Sequence, residues 1–173
     1  DAASGNLDMR EASLSVSGKL SAVATQSLLH DRATSQAGQI ELAARDFSNV
    51  LGEMEQSGSG DMRITLDGKL DNSRGRLISN GHELRIAART IENTDAAIIH
   101  TGAGALKVAA DQVTAAGGEM ASNGRLNLDV QRIALEPAST IARRLRIDAQ
   151  EIVNHGGSIT QTGNGQTAIN AHQ

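Results

Sequence analysis

The chain has 173 residues, a formal charge of −4, one aromatic residue (Phe47), one proline (Pro137), no cysteine and 18 glycines. An acidic balance without Trp or Tyr excludes a dedicated nucleic-acid reader, which needs a basic face and stacking rings. The absence of Cys excludes a disulfide framework and thiolate metal sites, and no stretch approaches the ~20 consecutive apolar residues that span a bilayer as a helix.

In chain order, Asp1-Ala2-Ala3-Ser4-Gly5 has no initiator Met, basic stretch or apolar stretch, which reads as a processed or excised terminus. Leu14-Ser15-Val16-Ser17-Gly18-Lys19-Leu20 parallels Ile64-Thr65-Leu66-Asp67-Gly68-Lys69-Leu70 and predicts one rung of a repeat. Leu28-Leu29-His30-Asp31-Arg32 reads as a loop or distorted corner, so residues 1–37 are expected to form irregular first rungs. Residues 38–173 then read as regular repeats, the two parts making a single domain.

From residue 38 an alternating aliphatic pair recurs at Ile40/Leu42, Met62/Ile64, Leu84/Ile86, Leu106/Val108, Leu126/Leu128 and Leu145/Ile147, with a partial copy at Thr167/Ile169. Successive copies lie 22, 22, 22, 20, 19 and 22 residues apart. A second apolar column follows at Phe47, Leu70, Ile91, Val113, Ile133 and Ile152, and a third at Met54, Leu77, Ile98, Met120, Ile141 and Ile159. Gly52, Gly75, Gly117-Gly118 and Gly156-Gly157 precede the third column. Clusters of Ser, Asn and Gly such as Ser57-Gly58-Ser59-Gly60 and Ser79-Asn80-Gly81 punctuate the return to the next copy, supplying residues that accept positive φ. At Leu135-Glu136-Pro137-Ala138 the usual turn is replaced, and a bulged corner is expected there.

Three short period-2 segments per repeat, with no helix-length amphipathic stretch, predict strands separated by turns. The architecture this implies is all-β: a right-handed parallel β-helix of about 20–22 residues and three short strands per rung, with rungs ~4.8 Å apart. Seven to nine rungs give a rod of roughly 35–40 Å. Stacking like on like through a thin interior explains why aliphatic residues suffice where larger cores use rings. Asn49, Asn72, Asn93 and Asn154, each two residues beyond the second column, are expected to form a side-chain amide ladder.

Candidate chemistry is sparse. Asn93-Thr94-Asp95 and His155-Gly156 match two elements of a polygalacturonase-type constellation, but the next rung reads Ala115-Ala116-Gly117-Gly118 and lacks the paired carboxylate that glycosidic cleavage needs. Neither the five histidines nor the glycine pairs Gly102/Gly104 and Gly163/Gly165 give a metal cluster or a dinucleotide loop. No enzyme activity, cofactor or metal is therefore expected. One column, Glu41, Arg63, Arg85, Lys107, Asn127 and Arg146, points outward. Its cations Arg63, Arg85, Lys107 and Arg146 form a candidate stripe for an anionic glycan, against the plainer reading of a solvated face relieved by Asp61 and Glu83.

The phrase Leu70-Asp71-Asn72-Ser73-Arg74-Gly75-Arg76-Leu77, running through Asn80-Gly81 into Leu84-Arg85-Ile86, and its echo Ile152-Val153-Asn154-His155-Gly156-Gly157-Ser158-Ile159, resemble the repeats of filamentous-haemagglutinin-like exoproteins. The resemblance covers roughly residues 38–170. It implies a right-handed β-helical stalk of a large surface protein of Gram-negative bacteria, exported by two-partner secretion through an outer-membrane transporter. It also implies a secreted or cell-surface location and an adhesin role toward a host or bacterial receptor or glycan. The alternative role is the stalk of a contact-dependent growth inhibition protein carrying a C-terminal toxin. The chain holds neither the Asn-Pro-Asn motif of the secretion domain nor the Val-Glu-Asn-Asn boundary of the toxin class. This points to an internal segment flanked by further β-helix rungs.

Overall fold

The computed structural model describes residues 5–172. The reading of Asp1–Gly5 as a processed terminus therefore falls almost wholly outside the described residues, as does Gln173. Among the described residues there are eighteen strands and no helix. All the recorded pairings between strands are parallel, for example Leu84 with Leu106, Ile91 with Leu70 and Ile98 with Leu77. The chain winds into a β-solenoid of about eight turns with ~21 residues per turn.

Each turn has three faces. The first carries the aliphatic pairs, in strands such as Met62–Leu66 and Leu84–Ala87. Next comes a three-residue strand whose middle side chain points inward, as in Asp46–Ser48, Lys69–Asp71 and Thr90–Glu92. The third face holds strands such as Glu53–Gln56, Arg76–Ser79 and Ala97–His100. Burial alternates along all of them, because successive side chains in a strand point to opposite sides. The interior is one continuous column of aliphatic side chains, and Phe47 stands inside it, 1% exposed, paired with Leu28 below and Leu70 above.

One corner keeps a fixed length, one varies by a single residue (Met62 to Leu70 is eight, Leu84 to Ile91 seven), and one varies widely. From the second-face residue to the third-face residue the step is seven in every turn, as from Phe47 to Met54 and from Val113 to Met120. The return corner, from third face to first, varies from three residues (Ala142 to Leu145) to six (Gln56 to Met62, His100 to Leu106). Where it is short the strand runs straight through it, giving Thr34–Ala44, Glu119–Ala134 and Ser139–Ala149. Much of the drift in repeat length arises at this corner.

Several expectations need correction. The fixed step of seven places Thr140, not Ile141, inside: Thr140 is 0% exposed and in register with Met120, while Ile141 is only partly buried. Residues 28–32 are not a loop. Ser27–Leu29 is a strand in register with Asp46–Ser48, and His30 begins a buried corner like those that follow. The 37/38 division falls inside the strand Thr34–Ala44. No bulge appears at Pro137: Ala138 N donates to Leu135 O at 2.9 Å, as Gly52 N does to Asn49 O at 3.0 Å. A register shift occurs instead at the return corner between Ser122 and Arg125.

The positive φ expected of the Ser, Asn and Gly clusters at the return corner is found there only at Gly165 among the described residues, and elsewhere lies mainly at the corner before the third face. At that corner it falls on the residue before the glycine, at Leu51 (57°), Arg74 (55°), Gly117 (66°) and Gly156 (72°), and likewise on Asp95 (50°) before Ala96. At Gly52, Gly75, Gly118 and Gly157 the preceding turn comes too close for a Cβ, whereas Ala33, Ala96 and Ala138 fill the same station in other turns. A Cβ on Gly75 would lie 2.2 Å from the Asn49 carbonyl oxygen of the preceding turn, and one on Gly118 would lie 2.0 Å from that of Asn93.

Candidate functional site

The corner between the second and third faces holds the buried polar column. Asn49, Asn72 and Asn93 are each 0% exposed. Asn49 Nδ2 donates to Asn72 Oδ1 at 2.7 Å, and Asn72 Nδ2 donates to Asn93 Oδ1 at 2.8 Å. Asn93 Nδ2 donates onward to the Glu119 carbonyl at 3.0 Å. Every amide points the same way, so the dipoles align and each bond polarises the next.

The column starts one turn earlier than the Asn pattern indicates, at the fully buried His30, which also packs its ring against Phe47. Its Nδ1 lies 2.7 Å from Asn49 Oδ1 and its Nε2 2.7 Å from Ser35 Oγ. Because Asn49 presents an acceptor, the proton sits on Nδ1 and Nε2 accepts from Ser35. Burial pushes this histidine below its ordinary pKa, with the Asn49 contact opposing.

Asn154 does not join this ladder. It is exposed on the last full turn, and Ala115 and Leu135 occupy the same station on the two turns between it and Asn93. Leu135 and Ala115 are apolar, so no amide chain passes through them. Recurrence at a fixed offset marks the corner, but continuity of a ladder also requires that no turn be skipped.

A second polar column lines the return corner, and sequence reasoning missed it. Gln56 and Gln161 brace the long corners. Gln56 Oε1 accepts from Ile40 N at 2.9 Å while its Nε2 donates to Gly60 O at 2.6 Å. Gln161 Oε1 accepts from Leu145 N at 3.2 Å while its Nε2 donates to Gly165 O at 3.0 Å. Ser79 and Ser122 accept from Gly81 N and Gly124 N. The phrase Gln-x-Gly-x-Gly, against Ser-Asn-Gly, is the signal that separates the two corner types. His100-Thr101-Gly102-Ala103-Gly104 follows the long pattern with His in place of Gln. His100 is 0% exposed and neither ring nitrogen has a hydrogen-bond partner, and burial lowers its pKa.

The outward column lies in the expected register: Glu41, Arg63, Arg85, Lys107, Asn127 and Arg146 follow one another across successive turns. Its cations are paired. Glu83 binds both Arg85 and Lys107, the latter at 2.9 Å, and its pKa falls, chiefly through the Lys107 hydrogen bond. Arg63 faces Glu41 at 3.9 Å, and Arg146 binds Asp148. Asp61, expected beside Arg63, lies 3.4 Å from His82 Nδ1 instead. The stripe is a charge-compensated face.

Asn93 and Asp95 lie at the same corner as His155, but three turns away, roughly 14 Å of rise. Asp95 occupies the positive-φ turn position, and the Asn93 amide is committed to the ladder. Among the described residues no group of three or more His, Cys, Asp or Glu is placed to hold a metal ion.

Over 159 residues, 87% of this chain, the sequence is 30% identical to Toxin CdiA of Yersinia pestis. The chain spans only 5% of that protein's length. No protein-family model matches this chain, and no solved structure matches it. The similarity and the β-solenoid together fit a CdiA-like or filamentous-haemagglutinin-like repeat region.

Proposed function

We propose that this chain is a non-catalytic stalk segment of a secreted, surface-displayed exoprotein of the CdiA type, in which stacked turns hold a distal domain away from the cell. The observation that carries the reading is the even stacking of about eight turns over a stretch similar to a small part of a toxin protein. The polar side chains buried at the corners serve the stacking itself. The reading places the segment in contact-dependent growth inhibition, with an outer-membrane transporter during export and further β-helix turns on either side. No side-chain arrangement distinguishes an adhesin, so the CdiA-type role is preferred to the adhesin role on the similarity alone.

The test is an in-frame deletion of residues 84–125, two whole turns from Leu84 to the residue before Leu126, in the full exoprotein. Export, surface display and inhibition of target cells should survive, with the surface filament shortened by roughly 10 Å. Loss of target-cell inhibition despite normal export and display would show that the segment recognises something and would overturn the spacer reading.

A further inference from the structure

The return corner is long at His100–Leu106, short at the next two turns (Ser122 to Leu126, Ala142 to Leu145), and long again after Gln161. Two short corners between two long ones leave a notch in the side of the rod. Arg125, Arg143 and Arg144 line a depression of about 620 Å³ at this notch, together with Asn123 and the long corner around Ala103. Arg125 and Arg144 are in register on adjacent turns, one strand spacing apart.

These three arginines differ from the cations of the outward column. All three are exposed, and among the described residues none of them has a carboxylate partner, whereas Arg63, Arg85, Lys107 and Arg146 all do. The carboxylate that lines the same depression, Glu83, is committed to Arg85 and Lys107. The Arg143 stem is also held. Gly163 N donates to Arg143 O at 3.2 Å, and a Cβ on Gly163 would lie 2.4 Å from Arg143 Cγ, so the next turn closes directly over it.

The geometry points to a phosphate-monoester site at Arg125, Arg143 and Arg144, taking a phosphorylated sugar. Guanidinium forks match the oxygens of phosphate with paired hydrogen bonds. A phosphate monoester carries about −1.5 to −2 at neutral pH, which offsets three uncompensated cations better than the single charge of a sulfate ester. The depression is larger than a bare ion requires and falls in the size range of small-ligand sites. Its other walls are His82, Thr101, Asn123, glycines and the small side chains of Ala103 and Ala105, with Asn123 bonding the Thr101 carbonyl at 3.0 Å, so hydroxyl groups suit the remainder better than a long apolar chain. This site does not depend on the stalk reading.

The test is calorimetric titration of the chain with glucose 6-phosphate, glucose 6-sulfate, inorganic phosphate and glucose. Saturable binding of glucose 6-phosphate is expected, several-fold tighter than that of the sulfate or of inorganic phosphate, and none of glucose. The pair R125Q/R144Q should weaken it at least tenfold. R74Q/R76Q, which removes two arginines at another corner, should leave it unchanged. If R125Q/R144Q loses the β circular-dichroism signal, R125K/R144K keeps the charge without the fork and should still weaken binding several-fold. No saturable binding, equal affinity for sulfate or inorganic phosphate, equal weakening by the control pair, or full affinity in the lysine pair each overturns the assignment.

Discussion

The Asn72 side chain bridges its two neighbours, accepting from Asn49 at 2.7 Å and donating to Asn93 at 2.8 Å, with all three fully buried. Removing it strands a donor on one side and an acceptor on the other. Asn72→Ala should therefore cost on the order of 2–4 kcal/mol, read as a lower urea midpoint at unchanged slope. Asn154→Ala, on the exposed last turn, should change stability by less than about 0.5 kcal/mol. Equal costs for the two would contradict a ladder confined to the first three residues.

Thr140 presents a buried hydroxyl with no partner to the Met120 column. Thr140→Val keeps the shape and removes the unpaired group, so it should stabilise the chain by about 1–3 kcal/mol. Thermal denaturation measures this, and a fall in Tm would mean the hydroxyl is bonded in solution.

At the ladder corner, Arg74 and Gly75 should respond in opposite directions. Arg74 adopts φ 55°, which costs a side-chain-bearing residue about 1–2 kcal/mol, against about 0.5–1 kcal/mol of extra chain entropy for Gly. Arg74→Gly should be neutral or stabilising by up to about 1 kcal/mol. Gly75→Ala drives a methyl into the Asn49 carbonyl and should destabilise by about 1–3 kcal/mol. Chemical denaturation of the two variants side by side checks the contrast.

His30 and His100 are both buried and both held below the ordinary histidine pKa, in each case chiefly by desolvation. The unfolded chain binds protons at each more readily than the folded one. The stability this represents is complete above pH ~6.5 and is lost as pH falls below it, by at most about 1.4 kcal/mol per pH unit for each group. Between pH 6.5 and 5 the midpoint should drop. His100→Gln should flatten that slope, and should raise stability at pH 7 by supplying the Gly102 and Gly104 carbonyls with the amide donor that Gln56 gives Gly60. An unchanged slope in this variant would place the titration elsewhere.

The outward stripe should be nearly silent. Replacing Arg63 and Arg146 together by Gln removes exposed ion pairs to Glu41 and Asp148, each worth about 0–1 kcal/mol, and leaves Glu83 committed to Arg85 and Lys107. Retention on a sulfated resin at low salt should fall less than after R125Q/R144Q. The opposite ranking would restore the stripe as the anion-binding face.

Most of the fold was legible because inward positions repeat with a fixed count of seven at one corner and a nearly constant count at another. Ile40, Phe47 and Met54 announce their successors without any long-range information. Hydrophobicity misled where it competed with that count: Ile141 is more apolar than Thr140, yet the step of seven sets which one enters the core. The corners were harder to read. Whether Asn154 continues a ladder depends on Ala115 and Leu135 between them, and His30 looks like an exposed loop residue until its partners Asn49 and Ser35 are brought round by the winding. The candidate anion site was illegible in the same way. Arg125 and Arg144 become neighbours only through the difference in length between corners, and the stripe cations Arg85 and Lys107 are silenced by Glu83, whose role shows only once its two partners flank it.

A return corner that ranges from three to six residues without disturbing the interior gives this rod a permissive seam. Insertions at 57–60 or 101–104 project from that edge without changing which side chains face inward. A peptide tag or a small grafted domain placed there would ride outside the stack, and copies on adjacent turns would stand one strand spacing apart, a regular display lattice written along a single line of the molecule.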